Sequence, residues 1–386
     1  MLEPQTPGEL AEALGEAAGR GRTISLAGGD SKRRMAGPPP AADCAISTVR
    51  LNRVIQYEPR DLTISVEAGL PWRELARLTA ANRQMAPLDP PFASNATVGG
   101  VVAANCSGPR RRLYGTARDW IIGMKFTTLE GKMVQSGGMV VKNVAGLDMA
   151  KLMIGSFGTL AAIAVVNLKL SPAPETERSF ALAFGSIGEA MAARNHILAG
   201  PLQPAALELW NQAAVQTFGI PLAAAPWLLA LRVGGPRAAA ERHQRDLESM
   251  GECAVMEGDA HSALWSAAED FTPRYLEPRP EGAVVRASCT LNRVDAVMAS
   301  FPGPAAARAG SGVCYGYFES SQAAARWLAN AAAEGWKAVL EFAPEEGKSK
   351  LDLWPAPGPD LEWMKRLKGL FDPGNLLNRG RLYGRI

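Results

Sequence analysis

Apolar and polar positions follow two different periods along this chain. Over residues 7–19, Leu10, Ala11, Leu14, Ala17 and Ala18 recur three to four apart, which gives a helix with one apolar face. Thr23-Ile24-Ser25-Leu26-Ala27 then reads as a short strand running into two glycines. Leu62 to Gly69 alternates in period two, the pattern of a half-buried strand, and Pro71 opens a helix with Trp72, Leu75 and Leu78 inward. A further strand is expected around Val134 and another over Leu160 to Leu170, with Pro172 and Pro174 beyond it.

After residue 174 the pattern changes. Strands at Phe180–Phe184, Leu228–Val233, Val284–Cys289 and Ala338–Phe342, each followed by an Ala-rich helix, suggest an α/β second domain with strands joined by helices. The proline-rich stretch Pro355 to Pro359 leads into a helix over Asp360–Phe371 and a tail containing Asp372-Pro373-Gly374-Asn375-Leu376-Leu377-Asn378-Arg379-Gly380-Arg381. No internal repeat is visible. At 386 residues the chain is too long for one core, and two domains of roughly 150 to 200 residues are expected. The expected boundaries are 1–173, 174–345 and a C-terminal segment over 346–386.

Charge narrows the function. With 41 basic and 38 acidic residues the net charge is only +3, which argues against nucleic acid as the main partner. Two basic runs, Lys32-Arg33-Arg34 and Arg110-Arg111-Arg112, read by default as solvated loops, but each follows a glycine-rich stretch where a cation would meet a phosphate. Five scattered cysteines form no C-x-x-C pair, so structural zinc and iron–sulfur sites are not expected. Met1-Leu2-Glu3-Pro4 lacks the features of a signal peptide, and no run approaches the ~18 apolar residues of a membrane span. A cytoplasmic protein is expected, and the Asn-x-Ser/Thr triplets at Asn95 and Asn105 carry no glycosylation meaning there.

Four segments carry candidate chemistry. Ala27-Gly28-Gly29-Asp30-Ser31-Lys32 ends a strand with residues that let successive N–H groups turn into one concavity, an anion nest; an isolated Gly-Gly pair is more often a plain turn. No G-x-G-x-x-G stands in this register, and Gly347-Lys348-Ser349 is no phosphate loop because Phe342 occupies the place of its first glycine. Thr97-Val98-Gly99-Gly100-Val101-Val102-Ala103-Ala104-Asn105-Cys106-Ser107-Gly108 would let backbone lie against a flat ligand, or would pack as a helix turn of small residues. Gly155-Ser156-Phe157-Gly158-Thr159-Leu160 and the tail Asn378-Arg379-Gly380-Arg381 each have an ordinary reading as turns.

Taken in order, these segments resemble the p-cresol methylhydroxylase / vanillyl-alcohol oxidase superfamily of flavoproteins. Within it the resemblance is to the E-subunit family of bacterial glycolate oxidases. It rests on the Gly-Gly-x-Ser loop, Thr-x-Gly-Gly-x-x-x-x-Asn-x-x-Gly, Gly-Ser-x-Gly-Thr-Leu and Phe-Asp-Pro-x-x-x-x-Asn-x-Gly. Gly108-Pro109-Arg110-Arg111, the run from Val140 to Met149, Lys151 to Gly155 and Leu351-Asp352-Leu353-Trp354 add to it. The likeness is strong over 20–170 and 336–386 and loose between. It implies an α+β protein: a two-subdomain FAD-binding fold of the p-cresol methylhydroxylase type over 1–173, an α/β cap over 174–345, and a segment, 346–386, returning to the FAD domain.

By the resemblance, Gly28, Gly29, Asp30, Ser31 and Lys32 cradle the FAD pyrophosphate. Pro90, Thr97, Val98, Gly99 and Gly100 line the dinucleotide, and Ala103, Asn105, Ser107 and Gly108 run along ribityl and phosphate. Gly158, Thr159 and Ile163 touch the adenine side, while Asn378 and Gly380 return to the flavin from the tail. Arg379 stands where the family carries proline. No histidine lies in the pyrophosphate loop and Cys106 is not placed for a flavin bond, so non-covalent FAD is expected.

Oxidising a 2-hydroxy acid requires a base, a cation for the carboxylate, and the flavin. The histidine motif His-x-Gly-Asp-Gly-Asn-x-x-His of related catalytic subunits is missing, and His196, His243 and His261 read as surface or helix-end residues. Arg274, Arg279 and Arg286 are unremarkable carboxylate candidates, and Trp210, Trp227 and Trp265 rank as core before interface. The resemblance implies an accessory flavin subunit oxidising glycolate to glyoxylate together with a catalytic FAD subunit and an iron–sulfur subunit, associated with a membrane only through them. A stand-alone FAD-dependent 2-hydroxy acid dehydrogenase and a flavin-free structural subunit stay open.

Overall fold

Thr6 explains where the first helix starts. It is extended, its hydroxyl accepts the Glu9 N–H at 3.2 Å, and Pro7 fills the first turn of the helix Pro7–Gly19. Leu10, Leu14 and Ala17 face inward from that helix. A computed structural model describes residues 1–38, 41–140, 146–220, 222, 225–384 and 386 of the chain. The part of the Val140–Met149 run at 141–145 lies outside the described residues. Two compact units result: residues 1–107, 116–173 and 356–386 in the first, and 108–115 with 174–355 in the second.

The first unit holds two small layers around Leu10, Leu14, Ile24, Ile46, Ala164 and Leu377. The strand Ile24–Ala27 pairs in parallel with Cys44–Ser47. The C-terminal tail joins the same strand, since Ile24 N–H donates to Leu376 O at 2.8 Å and Asn378 N–H donates to Ile24 O at 2.9 Å. A five-stranded antiparallel sheet runs in the order Val54–Glu58, Thr63–Glu67, Ala162–Lys169, Ile121–Thr127, Met133–Gly137. Its middle strand is covered on both faces, which is why Leu160–Val166 reads as a continuous apolar run, and the buried Asn167 accepts from Ser65 Oγ at 2.7 Å. Thr63–Glu67 is also buried throughout rather than half-buried. Its polar end is tolerated because Glu67 accepts from Arg53, at 2.9 Å from the N–H and 2.7 Å from the guanidinium.

In the second unit the strands are joined by helices as expected, and every pairing in the sheet is antiparallel. The eight strands among the described residues lie in the order Cys253–Met256, Thr176–Phe184, Trp227–Gly235, Ala206–Asn211, Ala305–Arg308, Val313–Phe318, Ala283–Ser288, Lys337–Phe342. This order corrects the expectation of no internal repeat. Each half is a β-α-β-β-α-β unit, with helices Ile187–Ala199 and Arg237–Glu248 in one and Val294–Ser300 and Ser321–Ala333 in the other. The halves meet edge to edge where Glu208 pairs with Arg308. The repeat escapes notice in the sequence because Ala305-Ala306-Ala307-Arg308 carries no branched or aromatic strand former.

Two histidine readings also need correcting. His243 and His261 are buried, at 8% and 4% exposure. His243 Nδ1 lies 2.8 Å from Ala239 O along its own helix, and His261 Nδ1 lies 2.8 Å from Ser179 Oγ. Only His196 is exposed as expected. Trp210 and Trp265 are core residues and Trp227 is half-buried. Arg286 is paired with Glu341 at 2.7 Å and Arg279 with Glu319 at 3.2 Å. No helix among the described residues is long and apolar enough to cross a membrane.

Candidate functional site: a basic cleft at the end of the parallel strands

The two parallel strands run toward one solvent-open cleft of the first unit. Twelve of the residues expected from the sequence line it: Gly28, Gly29, Asp30, Ser31 and Lys32; Thr97, Gly99, Gly100 and Ala103; and Gly158, Ile163 and Asn378. Four chain segments far apart in sequence thus converge on one concavity.

The glycines are there for the protein's own packing as much as for a ligand. A Cβ at Gly29 would stand 2.0 Å from Asn95 O, and one at Gly28 would stand 2.3 Å from Thr97 Oγ1. The loop is therefore pressed flat on the turn before the helix Val98–Ala103, which Thr97 caps through the Gly100 N–H at 3.3 Å. Asp30 continues the loop with φ 51°, a left-handed conformation that turns consecutive amides to one side. Among the described residues, the N–H groups of Gly29, Asp30, Ser31 and Lys32 donate to no other protein group.

Charge at the cleft is positive: Lys32, Arg33 and Arg381 line it against the carboxylate of Asp30. Lys32 is not the solvated residue that its basic run suggests. It is 8% exposed, and its ammonium donates to Ser31 Oγ at 3.0 Å and Pro91 O at 3.2 Å with no carboxylate bonded to it. Burial lowers its pKa below the usual lysine value, an effect partly offset by the nearby Cys106. A buried cation beside a row of inward N–H groups is a site for an anion. Arg381, absent from the expected set, is held by Gly37 O at 3.0 Å and Lys32 O at 3.3 Å and covers the Phe157 ring at 5.7 Å. Its signal in the sequence was its place in the Asn-x-Gly-x tail, and that of Phe157 its place between two glycines.

Seven expected residues do not line this cleft. Val98 points into the core, its N–H donating to Leu70 O at 2.9 Å. Pro90 is buried elsewhere, and Asn105 takes φ 50° just after the short helix with its side chain exposed. Ser107 is not among the lining residues, and Gly108 belongs to the second unit. Thr159 is buried, its hydroxyl donating to Ser156 O at 2.7 Å and its carbonyl accepting from Lys368 at 2.7 Å. Gly380 presents its carbonyl to Gly37, where a Cβ would come within 2.0 Å. The Arg110–Arg112 run is likewise away from the cleft; Arg112 donates to Pro204 O at 2.9 Å within the second unit.

The tail is locked by a buried pair. Lys368 Nζ donates to Asp372 Oδ2 at 2.6 Å, to Leu377 O at 2.9 Å and to Thr159 O. Asp372 in turn accepts from the N–H groups of Leu376 and Leu377 at 2.9 and 2.8 Å. This satisfies every charge taken from water and explains the Phe-Asp-Pro motif: its Asp372 folds the turn that delivers Asn378 to the cleft.

The family profile of the FAD binding domain matches residues 1–137, and that of FAD linked oxidases, C-terminal domain, matches 173–351 and 356–382, more than half of the chain. Glycolate oxidase subunit GlcD of Bacillus subtilis (strain 168) is 26% identical over 408 residues, covering 95% of this chain and 83% of that one. Glycolate oxidase subunit GlcE of Escherichia coli (strain K12) is 38% identical over 133 residues, only 34% of this chain and 38% of that one. D-lactate dehydrogenase of Anaerostipes hadrus is 31% identical over 170 residues, 44% of this chain and 36% of that one. Among solved structures, 4-ethylphenol oxidase from Gulosibacter chungangensis shares the fold, with a TM-score of 0.73 at 14% identity over 99% of this chain and 88% of that one. With a positively charged cleft at the strand ends, these matches place the chain among the FAD-linked oxidases, a flavoprotein oxidoreductase family whose cofactor is FAD.

Proposed function

We propose that the chain is the E-type FAD-binding subunit of a glycolate-oxidising complex, accessory and electron-transferring, beside a catalytic FAD subunit and an iron–sulfur subunit. Residues 1–173 and the returning segment 346–386 hold the cofactor, and 174–345 form the cap. The pyrophosphate takes the amides of Gly29 to Lys32 and the Lys32 ammonium. Thr97, Gly99, Gly100 and Ala103 line its length, with Gly158, Ile163 and Asn378 at the adenine side. FAD, when bound, accepts a hydride equivalent and passes electrons onward. The protein's part is to bind and orient it, and the lining residues include neither histidine nor cysteine among those described, which supports a non-covalent flavin.

The accessory role is carried by one observation. The two buried histidines of the second unit are held at Nδ1 by Ser179 and by Ala239 O, their Nε2 atoms are closed off from solvent, and neither lines the cleft, so neither stands as a base for a substrate hydroxyl. The full chain should purify yellow and release its FAD into the supernatant on acid precipitation. It should not turn over glycolate or D-lactate with an artificial acceptor alone, and co-expression with the other two subunits should restore turnover. Activity of the isolated chain would make it a stand-alone 2-hydroxy acid dehydrogenase. Colourless protein that ignores added FAD would make it a structural subunit.

A further inference from the structure

We propose that Asp30 sets the charge class of ligand that the cleft accepts, favouring the pyrophosphate diester of a dinucleotide over a nucleoside diphosphate. The inference rests on the reading of the cleft as the flavin site. Among the lining side chains Lys32, Arg33 and Arg381 are cationic and Asp30 is anionic, which leaves them at +2. That balance equals the charge of the FAD pyrophosphate, a diester with one negative charge on each phosphorus. A nucleoside diphosphate such as ADP ends in a terminal phosphate whose second ionisation lies at about pH 6, so at neutral pH it carries about one negative charge more.

A carboxylate inside an anion cradle works against its ligand, and the local structure does not account for one here. Asp30 takes φ 51°, a left-handed conformation that asparagine adopts as readily as aspartate. The turn therefore has no need of the charge. Oδ2 faces Arg33 Nη1 at 3.4 Å, three residues on, with both side chains about half exposed. An ion pair of that kind contributes little to stability.

Covalent geometry ties the carboxylate to the ligand instead. The Asp30 N–H is one of the consecutive amides, Gly29 to Lys32, that donate to no other protein group among the described residues. Bond lengths keep the carboxylate oxygens within about 5 Å of that nitrogen in any rotamer. An anion hydrogen-bonded to the amide then lies within about 8 Å of the carboxylate, no further than one screening length at physiological salt. The amides bond a diester oxygen and a terminal oxygen alike. The three cations favour the more highly charged ligand, and Asp30 is the lining side chain whose charge opposes it. Specificity is a difference of affinities, and a built-in repulsion supplies it by weakening the wrong ligand more than the right one.

Flavin fluorescence titrations of the cofactor-free full chain give the FAD dissociation constant, and competition by ADP against FAD gives that of ADP. Both are measured for the wild type and for Asp30→Asn, which keeps the shape and the turn and removes the charge. At about 6 Å in water, one unit of ligand charge changes affinity about threefold. Asp30→Asn should therefore tighten both ligands, and ADP about threefold more than FAD. The extra gain should shrink in about 0.5 M salt. It should persist in an Arg33→Gln background, which separates repulsion of the ligand from release of Arg33. ADP that gains no more than FAD in Asp30→Asn, or an extra gain that vanishes with Arg33→Gln, overturns the role of Asp30 and leaves the flavin site standing. Wild-type chain that ignores added FAD overturns the flavin reading itself, and this inference with it.

Discussion

Asn378 grips the backbone of Leu26 with both ends of its amide: Oδ1 accepts the Leu26 N–H at 2.7 Å and Nδ2 donates to Leu26 O at 3.0 Å. The same Nδ2 donates to Phe157 O at 2.9 Å. One side chain therefore ties the strand that leads into the anion loop to the Gly155–Gly158 turn on the other wall of the cleft. The tail asparagine acts on the cleft by positioning the backbone around it.

Asn378→Ala removes all three bonds and leaves backbone groups of Leu26 and Phe157 without them. The first unit should lose about 1–3 kcal/mol of stability in urea unfolding, and the FAD dissociation constant should rise roughly tenfold for each 1.4 kcal/mol of distortion carried to the cleft. Asn378→Asp keeps the acceptor for Leu26 N–H and should fall between the two. An alanine variant with unchanged affinity in a flavin fluorescence titration would show that the tie is irrelevant to the cofactor.

Lys32→Met separates binding from folding. The ammonium is buried without a bonded carboxylate, so a methionine of similar length should leave the cofactor-free protein as stable as before or more so. A charge-assisted bond to phosphate contributes about 1.5–3 kcal/mol, so FAD affinity should drop roughly 10- to 100-fold. Thermal melts with and without FAD read both effects: the cofactor-free melting point holds while the FAD-induced shift shrinks. A full-sized shift in the variant would place the phosphates elsewhere.

Glu177 sets an acid limit on the second unit. Burial alone would raise its carboxyl, but His261 and Arg232 bring it down to about 2 from the ordinary 4.5. A carboxylate held below its unfolded value stabilises the fold above about pH 4.5, and that contribution is lost as pH falls toward 2. Glu177→Gln should cost about 2 kcal/mol near pH 7 and flatten the stability profile below pH 4.5. Circular dichroism melts from pH 3 to 7 check the slope; an unchanged profile would mean that other carboxylates govern acid unfolding.

Much of this was legible in the residues and some was not, for reasons of distance and context. Local patterns carried the helices Pro7–Gly19 and Asp360–Phe371 and the anion loop, because a cap, a proline or a glycine pair acts within a few positions. Arg381 and Phe157 escaped because their place in the cleft depends on the Lys368–Asp372 pair, whose partners lie beyond any local window. The histidines misled for a similar reason. His261 sits among alanines and polar residues on its own helix, and only the strand bearing Ser179 and Glu177 makes that face an interior one. Thr159 and Val98 were counted with their motifs, but within a motif some residues meet the ligand and others hold the turn.

The pairing of Ile24 with the tail sets an order on biosynthesis. Ribosomes make the Gly28–Lys32 loop early, whereas Leu377 and Asn378 emerge only after the whole of residues 174–355 has been translated. A nascent polypeptide therefore passes through a long interval with an unfinished cradle and an open strand edge beside it. With the cleft assigned to the flavin as proposed, cofactor acquisition is expected late, after translation, and prematurely terminated products should accumulate as colourless, aggregation-prone species.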